Sequence, residues 1–209
     1  MPDREPREED VRDSGWRVLH PVIMAVPPSA RQLTGREKVQ ALGLHARTAL
    51  ARSARHSGVE LGTLKKGYRG APLPSRGVYW SLSHTSDYVA AVTAPYRVGI
   101  DIEKIKSFTA ALKGRLAGRS EWALAPAIDD TLFCRYWTAK EAVLKAVGTG
   151  LSGLARCSIL EISDERHLRL SYGIETWTVS HSTKAAHHLA AITVNANRLR
   201  WHFADKDEA

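Results

Sequence analysis

Trp80-Ser81-Leu82-Ser83-His84-Thr85, followed by Tyr88-Val89-Ala90-Ala91-Val92-Thr93, is echoed later in the chain. The echo is Trp177-Thr178-Val179-Ser180-His181-Ser182, followed by His188-Leu189-Ala190-Ala191-Ile192-Thr193. Each copy then meets a turn signal, Ala94-Pro95-Tyr96 in the first and Asn195-Ala196-Asn197 in the second. Each continues into another alternating strand, Val98 to Glu103 and Arg198 to Phe203. In the latter Leu199, Trp201 and Phe203 share a face. A helix candidate precedes each copy. The first runs from about Gly35 to His56, with Thr34 as N-cap and Gly58 as stop; the second runs from about Asp130 to Val147, with Gly148 as stop. Each half therefore reads helix, strand, strand, strand. A single duplication is too few for a solenoid. It predicts an α+β fold of two similar lobes related by a pseudo-twofold axis, each a small antiparallel sheet packed with a long helix. The expected division is a disordered tail over 1–15, an N-terminal lobe over 16–96 and a C-terminal lobe over 97–209.

The copies are not chemically equal. In the strand Val98-Gly99-Ile100-Asp101-Ile102-Glu103, Ile100 and Ile102 point one way, Asp101 and Glu103 the other. At the matching place the second copy offers Arg200 and His202, so one site per chain is expected. The second helix supplies Glu141 and Lys145, one turn apart on one face. Three carboxylates with lysines beside them suit Mg2+ and phosphate, because hard cations take oxygen ligands. As an exposed ligand, Asp101 should be removable with little loss of stability. The site should lie where the first lobe's hairpin meets the second lobe's helix.

On a helical wheel Leu132, Phe133, Tyr136, Trp137, Val143, Leu144 and Val147 form one apolar arc. Arg135, Thr138, Ala142 and Ala146 lie opposite, and Glu141 and Lys145 sit at the arc's edge. Lys140 falls near its middle. A buried ammonium is costly without a partner, so Lys140 should meet a carboxylate, Asp101 or Glu103 being the obvious ones. The bland alternative is an ordinary solvated charge pair.

Composition narrows the function. The 209 residues are 44% hydrophobic, enough for a proper core, and carry a net charge of +8 from 30 Lys and Arg against 22 Asp and Glu. That balance favours an acidic partner or a polyanionic ligand. The basic residues are dispersed, with no helix-turn-helix signature and no aromatic interleaving, so nucleic acid is not the expected partner. Cys134 and Cys157 form no CxxC pair, which argues against zinc. Met1 to Gly15 has no apolar core of a signal peptide, and no apolar run approaches the length of a membrane span. The chain reads as cytoplasmic, with reduced thiols.

Gly99 to Glu103 and Trp137-Thr138-Ala139-Lys140-Glu141-Ala142-Val143-Leu144-Lys145-Ala146-Val147-Gly148-Thr149-Gly150-Leu151 together resemble a known family. The chain is similar to the 4′-phosphopantetheinyl transferases of the larger, surfactin-synthetase-activating (Sfp-like) type. Ser83-His84-Thr85 fits the family's upstream element, and Gly70-Ala71-Pro72 stands where Gly-Lys-Pro is common. The lysine is absent there; Lys65, Lys66 and Arg69 are possible replacements. The resemblance covers about residues 20 to 205. It implies transfer of 4′-phosphopantetheine from coenzyme A to a serine of an acidic apo carrier protein, acyl or peptidyl, with release of adenosine 3′,5′-bisphosphate. It also implies a monomer. Asp101, Glu103 and Glu141 match the metal ligands for Mg2+. Glu141 matches the base and Lys145 a phosphate-holding cation. His84 matches a phosphate contact, with Ser83, Lys140 and Gly70 beside it in the coenzyme site. Arg36, Lys38 and Arg47 on the first helix are candidates for the 3′-phosphate. His181, the repeat partner of His84, is expected to be a satisfied strand-end histidine. The alternative is an inactive coenzyme-A- or carrier-binding protein of the same fold, for which the missing lysine speaks.

Overall fold

The computed structural model describes residues 16–67, 70–183, 185, 187–195 and 198–204. The tail expected over 1–15 lies outside them, as do Arg69, Ala196 and Asn197.

Both copies of the repeat form hairpins. The first is β3 (Tyr79–His84) with β4 (Tyr88–Ala94), the second β8 (Glu175–Ser182) with β9 (His188–Val194). Before them come β1 (Val18–Leu19), β2 (Val22–Ala25), a short α1 (Pro28–Gln32) and the long α2 (Gly35–His56). Between them come β5 (Ile100–Lys104), α3 (Ala110–Leu116), α4 (Arg119–Trp122), α5 (Asp130–Val147), a 3-10 segment (Gly150–Arg156), β6 (Cys157–Ile162) and β7 (His167–Tyr172). The last strands are β10 (Arg198–Leu199) and β11 (His202–Ala204). One sheet runs β11-β2-β4-β3, the other β5-β9-β8-β7-β6, and β1 pairs with β10. The second sheet is antiparallel throughout. The first has one parallel pair, β11 on β2.

The order helix, strand, strand, strand needs correcting. The strand after each hairpin leaves it: β5 pairs with β9 in the second sheet, and β11 returns to β2 in the first. The repeating unit is strand, helix, hairpin, and in the second half an added hairpin, β6 with β7, stands between the helix and the repeated hairpin. Register fixes the correspondence. Val22 and Met24 stand opposite Ala91 and Val89, as Asp101 and Glu103 stand opposite Ala191 and Leu189. The counterparts of Asp101 and Glu103 are therefore Val22 and Met24, not Arg200 and His202. Alternation says which face a strand buries; it does not say which sheet edge receives it.

Three cores stack in order. Val22, Met24, Trp80, Val89 and Ala91 meet Leu42, Ala46 and Leu50 of α2. Ile23, Ala90 and Val92 meet Ile100, Ile102, Ala190 and Ile192 between the two sheets. Val143 and Leu144 of α5 meet Leu168, Leu170, Val179 and Ala191. The layers are thus helix, sheet, sheet, helix. No helix among the described residues is long and apolar enough to cross a membrane.

Helix α5 spans the residues its signals predict. Asp129 accepts Leu132 N–H at 2.7 Å, and Gly148 closes the helix in the left-handed conformation (φ 74°). The side opposite its apolar arc is also covered: Thr138, Ala142 and Ala146 are buried. The chain just before β5 covers Ala142 and Ala146, because Gly99 has no side chain. A Cβ on Gly99 would stand 1.8 Å from the Ala142 carbonyl oxygen and 2.9 Å from Ala146 N.

Three histidines tie β11 to the first lobe. His20 Nδ1 and His202 Nε2 are 2.9 Å apart, and the His56 and His202 rings stack at 3.8 Å. Burial holds all three below the ordinary histidine value, neighbouring positive groups including Arg200 add to it, and His202 falls to about 4. The folded state thus favours the neutral rings. The stability they contribute is present above pH 6.5 and is lost as pH falls toward about 4. The melting temperature should drop across that window, and less steeply in His202→Gln. Equal slopes would assign the loss to other groups, among them the buried His181, which is also pushed down to about 4.

Candidate active site

Strand alternation sends Ile100 and Ile102 into the core between the sheets, which turns Asp101 and Glu103 toward α5. Asp101 is 4% exposed, not the exposed ligand that the sequence suggested. Its Oδ1 accepts two bonds, from Ser83 Oγ at 2.8 Å and Lys145 Nζ at 2.7 Å. Lys145 also donates to the Ile100 carbonyl at 3.1 Å. Asp101 Oδ2 is buried with no hydrogen-bond partner among the described residues. A buried carboxylate oxygen without a donor is costly.

Two more carboxylates share this place. Glu103 lies beside Asp101 and accepts from the Trp137 indole; burial first, then the Asp101 charge, push its pKa up. Glu141 is pushed up by burial first and by Asp101 second, while Lys145 pulls it down. Three carboxylates thus gather near Lys145, with Lys106 also acting on Glu103, in a partly buried place. Among the described residues no three His, Cys, Asp or Glu side chains converge as a metal-ligand set. The donor chemistry and the spare Asp101 oxygen nonetheless fit a hard divalent cation.

His84 ends β3 and is exposed. Desolvation lowers its pKa, and Lys145 and Lys66 lower it further, so both ammonium groups bear on the ring. Lys66 bridges to Pro72, and a Cβ on Gly148 would come within 3.2 Å of the Ala71 Cβ. The loop holding Ala71 therefore abuts the end of α5, with Lys66 supplying positive charge near His84. Gly70, exposed and left-handed (φ 76°), is the loop's turn. His181 is buried, with its ring nitrogens 3.1 Å from the carbonyl oxygens of Arg166 and Arg135. It is held by backbone, as its repeat position implied.

Three assignments shift. Lys140 is buried and does not reach Asp101 or Glu103: it pairs with Glu121 Oε1 at 2.7 Å and donates to the Leu116 carbonyl at 2.7 Å. Both contacts tie it to the α3–α4 segment. The wheel placed it correctly inside, but its partner comes from a segment whose path the sequence does not give. Ser83 is buried and gives its hydroxyl to Asp101. Arg36 and Arg47 lie exposed on α2, outside the contacts joining Ser83, Asp101 and Lys145. Two partners went unread: Trp137 on Glu103, and Glu121, whose Oε1 also takes Ile159 N–H while Oε2 takes Gly118 N–H. The signal for Glu121 was local, a carboxylate three residues after Gly118 at a helix start. Lys140→Met should cost roughly 3–5 kcal/mol, the usual result of stranding one member of a buried pair. The double change Lys140→Met, Glu121→Leu should recover part of it. Denaturant melts in metal-free buffer measure both; additive losses would mean that the two side chains are not coupled.

The geometry can be set beside known proteins. Residues 97–194 match a family model described as the 4′-phosphopantetheinyl transferase superfamily. The chain is 34% identical over 116 residues to 4′-phosphopantetheinyl transferase HetI of Nostoc sp., a match covering 49% of each chain. It is 29% identical over 189 residues to a phosphopantetheinyl transferase of Thraustochytrium sp., covering 74% of this chain and 65% of that one. It is 35% identical over 78 residues to 4′-phosphopantetheinyl transferase psf-1 of Bacillus pumilus, covering 35% of this chain and 34% of the relative. Each match spans less than two thirds of the relative's length.

Proposed function

We propose that this chain, whose residues 97–194 match the 4′-phosphopantetheinyl transferase superfamily model, is a member of that family and moves the 4′-phosphopantetheine group of coenzyme A onto a serine of an apo carrier protein. The observation that carries this is the partnerless Asp101 Oδ2 beside Glu103, Glu141 and Lys145. Asp101, Glu103 and Glu141 would hold Mg2+, which supplies positive charge for the pyrophosphate oxygens. The carrier serine oxygen bonds to the phosphorus bearing pantetheine. The bond from that phosphorus to the bridging oxygen breaks, and adenosine 3′,5′-bisphosphate leaves. Glu141 takes the serine proton, directly or through water. Lys145 meets the charge that develops on the phosphate oxygens, while His84 and Lys66 hold the coenzyme's phosphates.

The net charge of +8 suits both substrates, since coenzyme A is a polyanion and the carrier is proposed to be acidic. One chain supplies every residue named, so a monomer suffices, working in the cytoplasm where its thiols stay reduced. The test is incubation with coenzyme A, Mg2+ and a panel of apo carriers, read by mass spectrometry. The carrier should gain one phosphopantetheine group, at a rate that falls with rising salt. Coenzyme binding without any mass gain on any carrier would favour a binding protein.

A further inference from the structure

We propose that Ser83 is a positioning residue: from the first lobe, its hydroxyl sets the rotation of the Asp101 carboxylate so that Oδ2 is the oxygen presented to the divalent cation. This rests on the functional reading above.

On β3, Trp80 and Leu82 pack toward α2, so Ser81 and Ser83 face the opposite way. There they meet β5. Ser81 Oγ accepts Ile100 N–H at 3.1 Å, and Ser83 Oγ donates to Asp101 Oδ1 at 2.8 Å. β3 and β5 belong to different sheets, so two hydroxyls do the work of a ladder across this seam. The terminal torsion of an aspartate is soft and nearly two-fold. With one donor on it, the carboxylate could turn and share both oxygens. Lys145 alone would not prevent this, because its ammonium rides on a flexible stem. Two donors converging on Oδ1 from different lobes, one from a buried serine on a strand, decide which oxygen is left over. Oδ2 is that oxygen, and it is buried without a hydrogen-bond partner among the described residues. The sequence position that resembles a coenzyme contact thus acts on the acidic site instead.

Full-length Ser83→Ala, the near-isosteric weak donor Ser83→Cys, and Ser83→Thr are compared with wild type. Two quantities are read: the Mg2+ concentration at half-maximal thermal stabilisation without substrates, and the KM for coenzyme A at saturating Mg2+. Groups supporting metal ligands typically affect metal affinity by 10–100-fold. Ser83→Ala and Ser83→Cys should raise the half-stabilising Mg2+ about tenfold or more. Their coenzyme KM should stay within about twofold, and Ser83→Thr should restore the Mg2+ response. An unchanged Mg2+ midpoint with a raised KM would overturn the proposal and make Ser83 a coenzyme contact. If wild type transfers phosphopantetheine and all variants respond to Mg2+ alike, this proposal alone fails. If wild type shows neither Mg2+ response nor transfer, the functional reading fails with it.

Discussion

Gly99→Ala should cost the protein more than about 3 kcal/mol, beyond the usual penalty for overpacking a core. The methyl would meet the Ala142 carbonyl oxygen at 1.8 Å and the Ala146 nitrogen at 2.9 Å. These are backbone atoms in the middle of a helix, with no flexible end to swing aside. Helix α5 would have to lift off β5, and Lys145 would leave Asp101 with it. Domains are stable by only about 5–15 kcal/mol, so much of the second lobe's fold is at stake. Gly114→Ala is the control. It sits in α3 with nothing within 4 Å of an added Cβ, and should gain about 0.5–1 kcal/mol. Denaturant melts read both; a Gly99→Ala protein as stable as wild type would show that the helix does not need so close an approach.

Asp101→Asn should lower transfer at least about a thousandfold, roughly 4 kcal/mol of transition-state stabilisation. The change keeps the shape and an acceptor for Ser83. It removes the charge that pairs with Lys145 and that would bind the cation. Because Asp101 is buried and paired, the stability of the variant is measured alongside, so that a lost site is not mistaken for a lost fold. Glu103→Gln, whose carboxylate is already held by Trp137, should be milder. Wild-type turnover of Asp101→Asn at saturating Mg2+ would end the assignment of Asp101 as a ligand.

Much of this was legible because the signals were local. Thr34, His56, Asp130 and Gly148 bracket the two long helices, and two-residue alternation gave both hairpins and the facing of Asp101 and Glu103. What failed was long-range. Nothing in Val98–Glu103 says that it joins β9 rather than its own hairpin, so Val22 and Met24 went unrecognised as the repeat counterparts of the acidic pair. The helical wheel assumed one buried side, whereas α5 is covered on two, by its own sheet and by Gly99. Lys140 was read as buried, yet its partner Glu121 arrives from a segment whose path depends on packing. The hydrogen bond from Ser83 to Asp101 also went unread, because it crosses between two sheets.

The exchange of strands also sets an order of events during synthesis. β2 is among the first strands made, while β11, its parallel neighbour, is made after every other strand of both sheets. Until residues 202–204 leave the ribosome, β2 carries an open edge, and unpaired edges invite pairing with other chains. The nascent first lobe is thus the aggregation-prone stage, and a translation product stopped short of β11 keeps that edge exposed.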